Sequence, residues 1–198
     1  MNLFLKSYPN IEAFVLAGGK SSRMGRDKGL VSLNEEPMIL HVLRELEFLK
    51  IPTKIIANNS AYKKFNLPIY NDVIPEKGPM GGLLTAMENT KAEMVLLLAC
   101  DMPFITASAI EKLLNNSDNE QITASMFNQK INPLFSIYPV ILKENIKKSI
   151  ALGNLKMTDF ILKNQHVLLP FENEISGKIF KNINTEKERK EAEKKWKD

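Results

Sequence analysis

The feature that most limits this fold is the apolar run Glu12–Ala17, which ends on Gly18-Gly19 and opens at once into a polar, cationic stretch reaching Lys28 (EAFVLAGGKSSRMGRDK). Glu12, Ala13, Phe14, Val15, Leu16 and Ala17 show no period-two alternation, as expected of a strand buried on both faces at the centre of a parallel sheet. Gly18 and Gly19 allow backbone N–H groups to approach a ligand closely, and Lys20, Arg23, Arg26 and Lys28 surround them with positive charge. A strand emptying into an anion-binding loop predicts a phosphate-bearing ligand.

Two familiar glycine loops do not match. Gly25 is followed by Arg26-Asp27-Lys28 and not by Lys-Ser/Thr, so there is no P-loop, and GxGxxG is absent. The loop as it stands, LAGGKSSRMGRDK (Leu16 to Lys28), resembles the signature of nucleotidyltransferases that move a nucleoside monophosphate from a triphosphate onto a phosphate acceptor. Within that superfamily it is most similar to the molybdenum cofactor guanylyltransferases.

Composition sets bounds on this reading. A length of 198 residues with 44% hydrophobic content suits one domain spanning residues 1–198. The net charge of +4 hints at a polyanion, but many lysines lie in mixed-sign stretches such as Glu186 to Asp198, the pattern of a solvated helix. A small phosphorylated ligand is therefore favoured over nucleic acid. One cysteine, Cys100, allows no internal disulfide and no cysteine cluster for a metal, which fits a reducing, cytoplasmic setting. Met1 to Ala17 has no signal-peptide pattern, and no run approaches the roughly 18 to 20 apolar residues of a membrane span.

Read in order, Asn34–Pro37 predicts a turn, and Pro37 opens a helix through Lys50. Thr53–Ala57 predicts a strand ending at Asn58-Asn59, Ala61–Phe65 a short helix, and Leu67–Tyr70 a strand running to Asn71-Asp72. A second glycine-rich loop, Gly78-Pro79-Met80-Gly81-Gly82, starts the next helix; its two helical glycines, at about 1 kcal/mol each, predict close approach of backbone or ligand. Glu93–Ala99 is the second buried strand and places Asp101 at its carboxyl end, where ligands of open α/β sheets bind. The next helix starts near Thr106 or Ser108, where Ser108 with Glu111 reads as a capping box, and runs to about Leu114. Gln121–Phe127 and Asn132–Tyr138 predict a hairpin. Helices follow from Pro139 and Leu155, short strands at His166–Leu169 and Lys178–Ile183, and a final helix capped by Thr185 and Glu188. The pattern predicts a three-layer α/β/α sandwich with a mostly parallel, Rossmann-like sheet and one late antiparallel hairpin. His41 reads as a helix residue at a packing boundary.

The candidate constellation is the loop with Lys28, a carboxylate at Asp72 beside glycines, and a carboxylate at Asp101. Four further segments resemble the guanylyltransferases in family order: GPMGGL (Gly78–Leu83), CDMPF (Cys100–Phe104), Asn132-Pro133 within KINPLFSIY, and NINT (Asn182–Thr185). The resemblance implies transfer of GMP from GTP to the phosphate of molybdenum-carrying molybdopterin, release of pyrophosphate, and a need for Mg²⁺. It implies that Leu16, Ala17, Gly18, Gly19, Arg23 and Asn58 or Asn59 contact nucleotide. By the same carry-over Lys28 contacts the phosphates, Asp72 the guanine end either directly or through the ribose, and Asp101 the metal, with Lys28 and Asp101 the catalytic pair. Asn182 and Asn184 are candidates for the acceptor side, where turn chemistry is an equal alternative. Cofactor-biosynthesis proteins or acceptor enzymes are further partners in such a scheme.

The chemistry is consistent with these roles. A phosphate monoester with a second pKa of about 6 is anionic at neutral pH, so phosphate attack needs charge screening more than a base. Asp72 can accept from guanine N1–H and N2–H₂. Competing readings are a cytidylyltransferase of the same cofactor, in which Ala-Ala-Gly tends to stand in place of Ala17-Gly18-Gly19, a sugar-phosphate nucleotidyltransferase, and a GTP-binding regulatory module without catalysis.

Overall fold

The computed structural model describes residues 8, 10–18, 27–172 and 174–196. Its first half comprises β1 (Ile11–Leu16), a 3-10 turn (Lys28–Leu30), β2 (Ser32–Leu33), β3 (Glu36–Pro37), α1 (Met38–Phe48), β4 (Thr53–Ile56), a 3-10 segment (Ser60–Phe65), β5 (Ile69–Tyr70) and α2 (Gly78–Glu88). The second half comprises β6 (Met94–Ala99), α3 (Ala107–Leu114), β7 (Ile122–Phe127), β8 (Lys130–Pro139), α4 (Lys143–Ala151), α5 (Met157–Lys163), β9 (His166–Pro170), α6 (Glu174–Ile179) and α7 (Glu186–Trp196).

The main sheet runs β5-β4-β1-β6-β8-β7-β9. β1 pairs in parallel with β4 and β6, β4 with β5, and β7 with β9, while β8 alone runs antiparallel to its neighbours. The turn between β7 and β8 is made by Asn128 and Gln129, both at positive φ. Ala13 and Val15 of β1 face one layer, packed against Ile39, Val42 and Leu46 of α1 and Ile110 and Leu113 of α3. Phe14 faces the other, with Leu83 and Met87 of α2, Ile146 of α4 and Phe160 of α5. Burial on both faces is why β6 reads as an unbroken apolar run and β1 as one interrupted only by Glu12. At roughly 1.5–3 kcal/mol per fully buried large side chain, the two layers fix the sheet in one register. The predicted three-layer, mostly parallel architecture is the one observed.

A smaller cluster of Leu33, Met38, Phe104, Ile183 and Ala192 fastens the β2–β3 hairpin to the C-terminal segment. Arg189 of α7 donates to the Ser32 carbonyl at 3.3 Å, and the Asn34 N–H donates to Glu193 at 3.3 Å.

Three local expectations are corrected. Lys178–Ile183 is not a strand: its first residues end α6, and Ile183 makes one backbone bond, to Asp101 just beyond β6, where a ladder would need several. α3 is capped by Thr106, whose hydroxyl accepts from the Ala109 N–H at 3.3 Å, so Ser108 lies inside the helix and forms no box with Glu111. Pro139 ends β8, and a 3-10 turn (Val140–Leu142) separates it from α4. The Thr185–Glu188 box is present, with Glu188 N–H to Thr185 Oγ1 at 3.2 Å and Thr185 N–H to Glu188 Oε2 at 2.9 Å.

Candidate active site

β1 and β6 run in parallel register with Leu16 opposite Ala99, so Ala17-Gly18 and Cys100-Asp101 leave the sheet side by side. The Cys100 N–H donates to the Leu16 carbonyl at 3.1 Å, extending the pairing past the strand ends. Gly18 carries a φ of +142°. On the other side of β1, bonds from the Ala17 N–H to Ile56 and from the Ala57 N–H to Tyr70 carry the β4 and β5 ends into the same edge. Asn58 and Asp72 therefore meet: Asn58 Nδ2 donates to Asp72 Oδ2 at 3.2 Å, and the Asp72 N–H returns to Asn58 Oδ1 at 3.3 Å. Asn59 points elsewhere, donating to Asp27 at 3.2 Å and capping the Ala61 N–H at 3.0 Å.

Lys28 opens the 3-10 turn, and its ammonium lies between two acceptors, 2.5 Å from Asn184 Oδ1 and 3.5 Å from Asp101 Oδ2. The C-terminal segment is itself stitched to the site, the Ile183 N–H donating to the Asp101 carbonyl at 2.9 Å and the Asn184 N–H to Glu188 at 2.7 Å. Asp101 Oδ1 is buried and has no hydrogen-bond partner. Burial pushes the Asp101 carboxyl above its ordinary range, and the opposing pull of Lys28 does not cancel it. Cys100, beneath the loop, has its thiol pushed up by burial and then by Asp101 and Asp27, so it packs as a neutral group and is no nucleophile.

Gly82 is explained by Leu16. A Cβ at position 82 would lie 2.7 Å from Leu16 Cδ2, so the glycine lets α2 rest on the last residue of β1. The close approach predicted for this helix is thus one between protein segments. Asn132, Pro133 and Asn182 line a cavity of about 360 Å³ together with Pro79, Leu155 and Lys156. Asn132 is partly committed inside the protein, accepting the Leu134 N–H at 3.1 Å. A larger groove of about 910 Å³, floored by Leu40, Leu43, Ile51, Phe65 and Leu67, meets β4 at its first residue, Thr53, away from the carboxyl ends of the strands.

The structure thus brings together Leu16, Ala17, Gly18, Lys28, Asn58, Asp72, Asp101 and Asn184 at one edge, with Asn182 on the adjoining cavity. Gly19 and Arg23 lie outside the described residues. Of the alternatives Asn58 and Asn59, the structure sets Asn58 on Asp72 and Asn59 on Asp27, while Asp27, Tyr62 and Glu188 were not among the sequence candidates. Only Glu188 left a trace, in the capping box; the others touch partners remote in sequence. Among the described residues no group of three or more His, Cys, Asp or Glu side chains could hold a metal, and no helix is long and apolar enough to cross a membrane.

A parallel sheet with a glycine-ended strand, a lysine and an aspartate at neighbouring strand ends is the arrangement of a nucleotidyltransferase. The chain belongs to the MobA-like NTP transferase domain family, whose model matches residues 13–167. It is 34% identical over 181 residues to a molybdenum cofactor guanylyltransferase of Haemophilus influenzae, covering 88% of this chain and 93% of that protein. A probable molybdenum cofactor guanylyltransferase of Carboxydothermus hydrogenoformans is 33% identical, with 82% and 83% covered. The fold is also that of the molybdopterin-guanine dinucleotide biosynthesis protein A of Archaeoglobus fulgidus, with a TM-score of 0.74 at 20% identity over 94% of this chain and 98% of that one. Nucleotidyltransferases of this kind generally use a divalent metal.

Proposed function

We propose that this protein transfers GMP from GTP to the phosphate of molybdenum-carrying molybdopterin. A nonbridging oxygen of the acceptor phosphate forms a bond to the α-phosphorus of GTP, the bond from that phosphorus to the bridging oxygen breaks, and pyrophosphate leaves. The observation that carries the reading is Asp101: a carboxylate at a strand end, 3.5 Å from Lys28, with its second oxygen buried and unpartnered beside the glycine loop. An aspartate left so is suited to a cation that arrives with substrate. The names of the relatives supply the guanine and the acceptor.

In this reading Asp72, held by Asn58, accepts from the guanine edge, and backbone of Leu16, Ala17 and Gly18 lines the base. Gly19 and Arg23 complete the loop contacts. Lys28 meets the phosphates, exchanging its protein acceptors for phosphate oxygens. Asp101 is the residue that would hold Mg²⁺, an ion that takes one or two carboxylates and completes its shell with phosphate and water oxygens. When bound, Mg²⁺ supplies screening between the reacting anions. The cavity of Asn182, Asn132 and Lys156 receives the acceptor, the lysine supplying a positive charge for its phosphate. The protein works as one domain in the cytoplasm, a setting that the single free cysteine fits.

Calorimetric titration with GTP, CTP and ATP, each with Mg²⁺, tests the base assignment. GTP is expected to bind most tightly, and a preference for CTP would replace the reading by cytidylyl transfer.

A further inference from the structure

Tyr62, in the 3-10 segment after β4, is 0% exposed, yet its hydroxyl reaches Asp27 beside Lys28. It donates to Asp27 Oδ1 and packs closely against Gly29. These are the residues immediately before and after Lys28. Asn59 holds the second oxygen of Asp27 at 3.2 Å. Asp27 is free for this pairing because its side chain makes no cap bond to the 3-10 turn it precedes. Gly29 is required by the same contact, since a Cβ there would lie 2.5 Å from Tyr62 Oη and 3.2 Å from the Cys100 sulfur. Burial, then the neighbouring Cys100 and Asp27, push the Tyr62 hydroxyl far up, so it remains a donor throughout the working pH range.

We propose that Tyr62 and Asn59 are positioning residues that fix Lys28 toward the triphosphate by holding Asp27 and Gly29 on either side of it. The inference rests on the nucleotide reading above. Asn58 and Asn59 are consecutive, the first pairing with Asp72 on the base side and the second with Asp27 on the phosphate side. One short turn after β4 therefore sets the distance between the carboxylate that reads the base and the ammonium that meets the phosphates. A lysine on a four-carbon stem loses much rotamer freedom when it binds, and a pinned backbone on both sides removes part of that loss beforehand.

The test is a double-mutant cycle on GTP and guanosine binding, measured by calorimetry with Mg²⁺. Tyr62→Phe keeps the buried ring and deletes only the hydroxyl. GTP affinity is expected to fall about tenfold, the scale of one hydrogen bond to a charged group, with guanosine affinity unchanged. On a Lys28→Ala background the same substitution should cost less than about twofold, because its effect passes through Lys28. Asn59→Asp retains the acceptor for the Ala61 N–H and sets a second carboxylate against Asp27. It should weaken GTP in the same way and lose that effect on the Lys28→Ala background. A Tyr62→Phe protein that binds GTP normally, loses GTP and guanosine alike, or keeps its loss without Lys28 would overturn the inference alone. If Lys28→Ala itself binds GTP as the wild type does, the phosphate reading falls and this inference with it.

Discussion

The Lys28 ammonium and the Asn184 amide oxygen lie 2.5 Å apart across 156 positions of sequence. That contact divides the two asparagines of the Asn-Ile-Asn-Thr segment. Asn184 faces the lysine of the nucleotide loop, while Asn182 lines the neighbouring cavity. Asn184→Asp would give Lys28 a competing anion, and GTP affinity should fall about tenfold or more. Asn182→Asp should leave GTP affinity within about twofold and depress transfer to the anionic acceptor. Calorimetry and a transfer assay on both variants check this, and equal effects on GTP would dissolve the division.

Asp101→Asn should reduce transfer about a thousandfold, the loss of several kcal/mol expected when a metal ligand goes. The fold should not suffer. Because burial raises the Asp101 carboxyl, its ionised form is disfavoured in the native state. Native stability is therefore greater below the folded pKa and declines as pH rises through it, and the neutral amide removes that loss. The Tm at neutral pH should hold or rise by a few degrees, on the order of 1 kcal/mol. The gain in Tm from GTP with Mg²⁺ should in turn shrink as pH is lowered through the raised Asp101 pKa, where this carboxylate takes up its proton before ordinary aspartates do.

The opposite sign holds at the Glu12–Lys54 pair, 2.7 Å apart, with side chains only 18% and 15% exposed. Burial raises the Glu12 carboxyl, but bonds from Lys54 and Thr90 outweigh it and leave it lowered. Its contribution is present above the unfolded carboxyl pKa and disappears as pH falls through the folded one. Lys54→Met should cost about 3 kcal/mol at neutral pH by leaving Glu12 unpaired, and the difference from wild type should close as pH falls through the lowered Glu12 pKa. Urea denaturation across that range measures both.

Gly82→Ala should cost about 1–2 kcal/mol in denaturation, since Leu16 Cδ2 can swing away from the new methyl group. The consequence for ligand is expected to be larger than for stability, because Leu16 is the last residue before the nucleotide loop. A severalfold weaker binding of guanosine, not of pyrophosphate, is the expected signature. Equal weakening of both would remove Leu16 from the base side.

Elements buried on both faces, such as β1 and β6, were legible because composition alone marks them. The hairpin was legible from its turn, and Asp72 and Asp101 from their places at strand ends. Other features depend on pairs too remote in sequence to announce themselves. Tyr62 reads as one more apolar position until Asp27 is beside it, 35 residues away. Lys178–Ile183 has strand-like composition, but its first residues finish α6 and Ile183 joins the backbone by one bond to Asp101, 82 positions back, which its own sequence does not mark. Thr106 prevailed over Ser108 as the cap through geometry that either sequence position could have satisfied.

The bonds from Ile183 to Asp101 and from Asn184 to Lys28 have a consequence for biosynthesis. A chain emerging from its N-terminus can lay down β1, β4 and β6 and bury their first side chains while its last quarter is still unmade. Lys28 and Asp101 would then exist without the segment that ties them together. Competence therefore arrives late, when residues 182–188 have been released and Glu188 has closed its cap. A protein interrupted after β9 would carry every strand of the sheet and the whole matched domain, and still lack the latch on its lysine.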